Sequence, residues 1–265
     1  MEHRETNIRQ TEFYQNKKKN FATEIWFYFR NGILNKIRKN IGMEHQINQL
    51  HLSWLGDLSN KKVLDLGCYA GNSLSMHLAL NSKEYIAIDL SELGISSLRK
   101  RLKEIPHAKA LTVDFLSEEF YEKDFDLIYA YGVLHHFKDV SGLISRLNEK
   151  LNYRGTIISY DPLQTSLPIK ILRTLYRPFQ TDKDWEWPFS KKVYYKFQST
   201  FDIIDKRAVL GKSKYFFLLN FVPISQNKKT EITKKWHEKD WESSKNSDSH
   251  MFKCMHLTMK MRKKN

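Results

Sequence analysis

Apolar positions along this chain fall into two patterns. Short, almost unbroken apolar runs at 62–67, 84–90, 110–115, 126–132 and 155–160 are rich in Val, Ile and Leu. Between them lie segments whose apolar residues recur at helical spacing, expected at 72–80, 91–104 and 140–151. Solid apolar runs of this length fit strands buried on both faces, and their alternation with helices predicts a parallel sheet covered on both sides. Ser91 and Glu92 supply a helix N-cap and an acidic first turn, and Pro106 closes that helix. A sixth strand is expected at 201–210. The seventh is expected at 251–261, where Phe252, Met255, Leu257, Met259 and Met261 suggest a buried face; the alternative is 215–222. Residues 3–50 read as mostly helical, with breaks near Asn31-Gly32 and at Gly42. Ile25, Trp26, Phe29, Ile33, Leu34 and Ile37 recur there at the spacing of an amphipathic helix packed on the main domain. The expected organisation is a helical cap at 1–50 and an α/β domain at 51–265, with insertions at about 163–200 and 213–247.

Composition narrows the class. With 265 residues, 41% of them apolar and 13% aromatic, the chain can bury a sizeable core. Its two cysteines, Cys68 and Cys254, do not make a disulfide framework and fit a reducing, cytoplasmic setting. Residues 1–19 are polar and lack the apolar core of a signal peptide. The longest apolar run, 215–224, is interrupted by Asn220 and Pro223 and falls short of the ~18 residues of a membrane span. The net charge of +14 is concentrated at the flanks. Residues 1–50 hold nine Lys and Arg against five acids, and residues 226–265 hold eleven against five. Such flanks either meet an anionic partner, nucleic acid or a lipid surface, or are solvated helix faces; their scattered placement favours the second.

The chemistry concentrates at the strand ends. Residues 63–71, VLDLGCYAG, read as a strand that stops at an acid and turns through glycines into a helix. In a doubly wound sheet, ligands lie beyond the carboxyl ends of the strands. Asp65, Gly67, Cys68, Gly71, Asp89, Leu90, Asp114, Phe115, Tyr129, Tyr131, His135 and His136 all fall there. Asp89 closes the second strand, where a carboxylate accepts both ribose hydroxyls of an adenosine ligand. NAD uses the same arrangement, but a pyrophosphate wants three glycines and a helix N-terminus free of acids. Here Asp65 precedes the loop, which suits a cationic amino group instead. Adenine, ribose, a sulfonium and an amino-acid end fit these charges: S-adenosylmethionine. His135-His136 with Asp139 suggests metal ligands, yet no further His, Cys or Asp cluster at ligand spacing supports a metal. Tyr129 and Tyr131 alternate along one strand and so share a face.

From about Lys61 to Pro162 the chain resembles the class I S-adenosylmethionine-dependent methyltransferases, in particular the branch acting on small molecules, lipids and glycans, quinone-biosynthesis enzymes included. VLDLGCYAGN, YIAIDLS, VDFLS, FDLIYAYGVLHHF and GTIISYDP carry the likeness in order. The resemblance implies a Rossmann-like, doubly wound seven-stranded sheet, mostly parallel with an antiparallel last strand, with N-terminal helices and a lid insertion. It implies Asp65, Gly67, Cys68 and Gly71 around the methionine end, Asp89 and Leu90 on the ribose, and Asp114 and Phe115 flanking adenine, with Tyr131 near the methyl donor. S-adenosylhomocysteine would be the product. The family often has Gly-x-Gly where this chain has Gly67-Cys68-Tyr69, so Tyr69 is expected to crowd or cover the methionine end. His135, His136 and Tyr131 are the candidate bases if the nucleophile is a hydroxyl or an acidic carbon. Residues 163–200, with Lys170, Arg173, Arg177 and the run Asp182-Lys183-Asp184-Trp185-Glu186-Trp187-Pro188-Phe189, are expected to wall the acceptor. A basic protein with the 215–224 segment could also rest on a membrane to reach a lipid-linked acceptor.

Two other readings come from different classes. A tRNA, rRNA or other nucleic-acid methyltransferase is suggested by the pI of about 9.5. Base-amino methyltransferases grip a flipped base with an Asn/Asp-Pro-Pro-aromatic run, and Tyr129-Ala130-Tyr131-Gly132 stands in that place. A non-catalytic binding protein on the same scaffold would lack affinity for the cofactor, although the acids that hold it are present.

Overall fold

A computed structural model describes residues 35–179 and 185–264, together with Phe21, Glu24, Tyr28 and Gly32. The amphipathic pattern expected over Ile25 to Leu34, and Asp182, Lys183 and Asp184 of the insertion, lie outside the described residues, as do the side chains of Ile37, Arg173 and Arg177.

Helices α1 (Asn35–Asn40) and α2 (Met43–Leu55) lead into the sheet and meet at Gly42, whose φ of +67° makes the corner. Helix α2 runs continuously across residue 50. The alternating stretch follows as β1 (Lys62–Leu66), α3 (Ser73–Asn81), β2 (Glu84–Asp89), α4 (Glu92–Leu102), β3 (Ala108–Thr112), β4 (Phe125–Tyr131), α5 (Val140–Lys150) and β5 (Leu151–Pro162). Helix α6 (Leu167–Tyr176) and helix α7 (Lys191–Thr200) occupy the first insertion and lead into β6 (Phe201–Val209). A 3-10 helix (Ser213–Phe221), α8 (Gln226–Asn246), the single turn α9 (Asp248–Met251) and β7 (His256–Lys263) complete the chain.

The strands form one sheet in the order β3-β2-β1-β4-β5-β7-β6. Strands β1 to β5 pair in parallel, and β7 inserts antiparallel between β5 and β6. The seventh strand is therefore the methionine-rich segment, but it begins at His256 rather than Met251, with Phe252 and Met255 in the turn that precedes it. The alternative, 215–222, is helical: its Phe216 and Leu219 turn inward while Leu218, Phe221 and Val222 stay exposed. Boundaries of β3 and β5 also differ from the sequence pattern. Strand β3 ends at Thr112 because β2, its only neighbour, ends at Asp89, so Asp114 lies in the loop beyond it. Strand β5 begins at Leu151, through polar residues that the apolar pattern does not mark, with a register shift opposite Phe125.

Side-chain alternation divides the core. Leu64, Leu66, Ile128, Ala130 and Ile157 face α5 and α7. Val63, Leu127, Tyr129 and Ile158 face the layer of α2, α3 and α4. A third cluster seats the α1–α2 corner, through Ile41, Met43 and Ile47, against Tyr160, Val209, Leu210 and Phe216. Helix α2 is also pinned by a buried imidazole. His51 bonds the Tyr129 hydroxyl at 3.0 Å on β4 and the Thr258 hydroxyl at 2.7 Å on β7. Burial holds this imidazole down to about 4, so it is neutral at physiological pH. Among the described residues, no helix is long and apolar enough to cross a membrane.

Candidate active site at the carboxyl edge of the sheet

The β1–α3 loop is a left-handed turn closed by its own backbone. Gly67, Tyr69 and Gly71 have φ of +70°, +47° and +72°. The amides of Gly67 and Cys68 donate to the Ile88 carbonyl at 2.8 and 3.2 Å, tying the loop to β2. A Cβ on Gly67 would lie 2.3 Å from Val133 Cγ2, so β1 and the β4 loop approach as closely as they do only with glycine there. Asn72 caps α3 by accepting from the Ser75 amide at 3.0 Å, and Arg101 braces the loop from outside on the carbonyls of Ala70 and Gly71.

Two carboxylates bracket this turn. Asp65 lies sealed beneath it, 2% exposed, and accepts from the Tyr85 hydroxyl at 2.7 Å. Burial raises its carboxyl to about 6. Asp89, at the end of β2, accepts from the Tyr69 amide at 2.9 Å through one oxygen and from the Ser91 amide at 2.8 Å through the other. Burial pushes its carboxyl up and these amides pull it down, with burial the larger effect. Each oxygen retains a second lone pair for a ligand hydroxyl. Tyr69 leans toward α4. Its ring packs on Gly94 at the start of α4, where a Cβ would sit 2.6 Å from Tyr69 Cδ2.

The remaining candidates divide. Asp114 accepts from the Leu116 amide at 2.9 Å in the loop after β3, while Phe115 is 2% exposed and packs with Phe120 and Phe137 in the core. Leu90 is half-buried beside Asp89. The Cys68 thiol is pushed far up by burial and by the nearby Asp65 and Asp89, which makes it an inert loop residue. Tyr129 and Tyr131 share the α2 side of β4. Tyr131 stacks on Tyr160 of β5 at 4.8 Å, and Tyr160 on His256 of β7 at 5.4 Å, giving a ladder of rings across three strands.

His135 and His136 sit in a 3-10 turn, Leu134–His136, with ring centroids 4.1 Å apart. Each has one ring nitrogen assigned by its partner. His135 Nδ1 lies 2.9 Å from Asp161 Oδ1, which also accepts the His135 amide at 3.1 Å. His136 Nδ1 lies 2.6 Å from the Trp185 carbonyl, which can only accept. The His136 ring therefore carries its proton on Nδ1 when neutral, and an ionised Asp161 holds the proton of His135 on Nδ1 in the same way. Asp161 is fully buried, and burial raises its carboxyl to about 7. The sequence motifs end on this Asp-Pro pair, yet nothing in spacing alone joins it to a histidine far upstream in the chain. The insertion closes over the pair: the Trp187 amide donates to the His135 carbonyl at 2.8 Å, and Trp185 and Phe189 are buried.

A second cluster, remote in sequence from these motifs, gathers Asp240, His250 and Cys254, whose ligand atoms lie within 4.8 Å of one another. Its hydrogen bonds fill Asp240: the Lys212 and Ser213 amides, the Ser213 hydroxyl and His250 Nε2 all point at it. Burial pushes the Cys254 thiol far up, away from the thiolate a metal needs.

Residues 64–157 match the family model described as a methyltransferase domain. The chain is 33% identical over 105 residues to a tRNA U34 carboxymethyltransferase of Nautilia profundicola, covering 38% of this chain and 34% of that protein. It is 33% identical over 106 residues to a ubiquinone biosynthesis O-methyltransferase of Pseudomonas putida, covering 38% of this chain and 45% of that one. The chain thus spans less than half the length of these relatives. In fold it is similar to the N-methyltransferase NodS of Bradyrhizobium japonicum, solved with S-adenosyl-L-homocysteine, with a TM-score of 0.53 at 16% identity over 85% of this chain and 88% of that one. The motif order, the left-handed glycine turn and the sheet with its inserted last strand agree with these likenesses, and residues 64–157 carry a methyltransferase domain.

Proposed function

We propose that this protein transfers a methyl group from S-adenosylmethionine to a small-molecule acceptor by direct displacement. The observation that carries the reading is the turn at Gly67–Gly71 with Asp65 beneath it and Asp89 beside it. It offers a narrow backbone cradle with acids on both sides, suited to a ligand with a ribose and an ammonium group and hostile to a pyrophosphate. In this reading Asp89 accepts the ribose hydroxyls, the loop holds the methionine end, Asp65 supplies a fixed negative charge under the loop, and the segment from Asp114 borders adenine.

When bound, the sulfonium supplies an activated methyl with a neutral leaving group. The chain's own part is to align the acceptor, keep water out and take a proton where the acceptor has one to lose. Alignment alone is worth roughly 7–11 kcal/mol in well-oriented reactions. His135 is the proton acceptor that the geometry favours. Asp161 holds its Nδ1–H, orients the ring and stabilises the imidazolium that forms, a positioning role. Tyr131, whose phenol burial pushes up to about 12, remains protonated at neutral pH and acts as a donor. The segment 185–189 lies over the two histidines as the wall that excludes water.

The relatives' names divide among O-methyl, N-methyl and carboxymethyl transfer, so the acceptor is read from this chain's own residues. Calorimetry with S-adenosylmethionine and S-adenosylhomocysteine tests the core of the reading. Micromolar-range binding is expected, falling at least about tenfold in Asp89→Ala, where buried hydrogen-bond acceptors are lost. Equal affinity in that variant would remove Asp89 from the ribose, and no binding to the wild type would leave a scaffold without its cofactor.

A further inference from the structure

The α1–α2 corner brings a cation to the ring ladder. Ile41 and Met43 pack in the same cluster as Tyr160, and Arg38 lies one turn before them. Its guanidinium is half-buried, and its charge reaches both the Tyr131 and Tyr160 phenols, drawing each downward against burial. Arg38 donates from Nη1 to Asn35 Oδ1 at 3.1 Å. Its Nε is sealed from solvent with no hydrogen-bond partner, and among the described residues no carboxylate lies within ion-pair distance of it. A guanidinium removed from water without an anion is costly, and its planar fork matches a carboxylate or phosphate better than any neutral group.

The ring ladder completes the picture. Tyr131, Tyr160 and His256 stack face to face across β4, β5 and β7. Neither the Tyr131 nor the Tyr160 hydroxyl donates to any described residue. Glu44, on α2, also acts on both phenols, but it is exposed and keeps its hydration.

We propose that Arg38, together with the hydroxyls of Tyr131 and Tyr160, binds an anionic group of the methyl acceptor. The acceptor is then a small carboxylate or phosphate ester, held by its charged end under the α1–α2 corner while its nucleophile faces the methyl group. This inference rests on the methyltransferase reading above and deepens it. It also accounts for the N-terminal helices, which close the acceptor site with a charge that the sheet itself lacks.

The test uses the full chain loaded with S-adenosylhomocysteine and three probes: benzoate, phenyl phosphate and neutral benzamide, followed by tryptophan fluorescence. Both anions are expected to bind at least about tenfold more tightly than benzamide, as for a charge-assisted pair. The tighter of the two names carboxylate or phosphate as the group recognised. Arg38→Gln should erase the difference, Arg38→Lys should keep part of it, and Glu44→Gln should preserve it. Unaltered melting and S-adenosylhomocysteine affinity in these variants establish that the fold and cofactor site persist. Equal binding of anions and amide, no anion binding at all, or a preference that survives Arg38→Gln overturns the inference while the methyltransferase reading stands. Failure of the wild type to bind S-adenosylhomocysteine strikes the methyltransferase reading instead.

Discussion

Single residues set the geometry of this site, and their effects have definite signs. Gly67 combines a φ of +70° with a position where a Cβ would overlap Val133. Gly67→Ala should therefore cost about 1–3 kcal/mol in backbone strain alone and reduce S-adenosylhomocysteine affinity further as the loop shifts, measurable by melting and calorimetry. Asp161 makes a prediction about pH. Its carboxyl is raised from 3.8 to about 7, so the folded state binds the proton more tightly than the unfolded chain. Ionising it in place costs stability: the cost is absent below the unfolded value, develops as pH rises through the window from 4 to 7, and is fully present above it. Asp161→Asn, which keeps an oxygen for the His135 amide and Nδ1, should raise the melting temperature most at pH 8, by less near pH 5, and little below pH 4. A uniform shift across this range would place the ionisation elsewhere. Asp65, Gly67, Gly71 and Asp89 were legible in the sequence because the turn needs glycine and the cradle needs acids. The partnership of His135 with Asp161, and the neutrality of His51, were not: each depends on a contact between distant segments that no local spacing encodes.

At the level of elements, caps and patterns explain what the sequence foretold. Asn72, Ser91 and Asp139 each accept from an amide in the first turn of the helix that follows, and all three helices start within a residue of the expected place. Strand ends were less legible, since β3 stops where its neighbour stops and β5 extends through polar residues held by pairing. The second insertion hid most. Helix α8 carries Asp240, which collects donors from Lys212, Ser213 and His250 and so fastens the helix to the chain on either side. Asp240→Ala should destabilise the protein by about 2–4 kcal/mol, because several buried donors lose their acceptor together, while S-adenosylhomocysteine affinity is retained. Treatment with EDTA should leave the wild-type melting temperature unchanged. A drop would turn this hub of hydrogen bonds into a metal site.

For the whole molecule, five alternating strands and their helices were enough to fix the parallel part of the sheet, since buried parallel strands must be apolar throughout. The choice between two candidates for the seventh strand was settled by packing: Leu257, Met259 and Met261 fill the core beside β5, whereas the 3-10 helix spreads its apolar residues around its circumference. That last strand lies between β5 and β6, with the antiparallel ladders on both its sides. During synthesis β6 leaves the ribosome before either ladder can form, and its apolar face must wait for the C-terminal segment. Removing β7 would then strip an interior stave rather than trim a margin, so a chain cut before His256 should aggregate rather than fold.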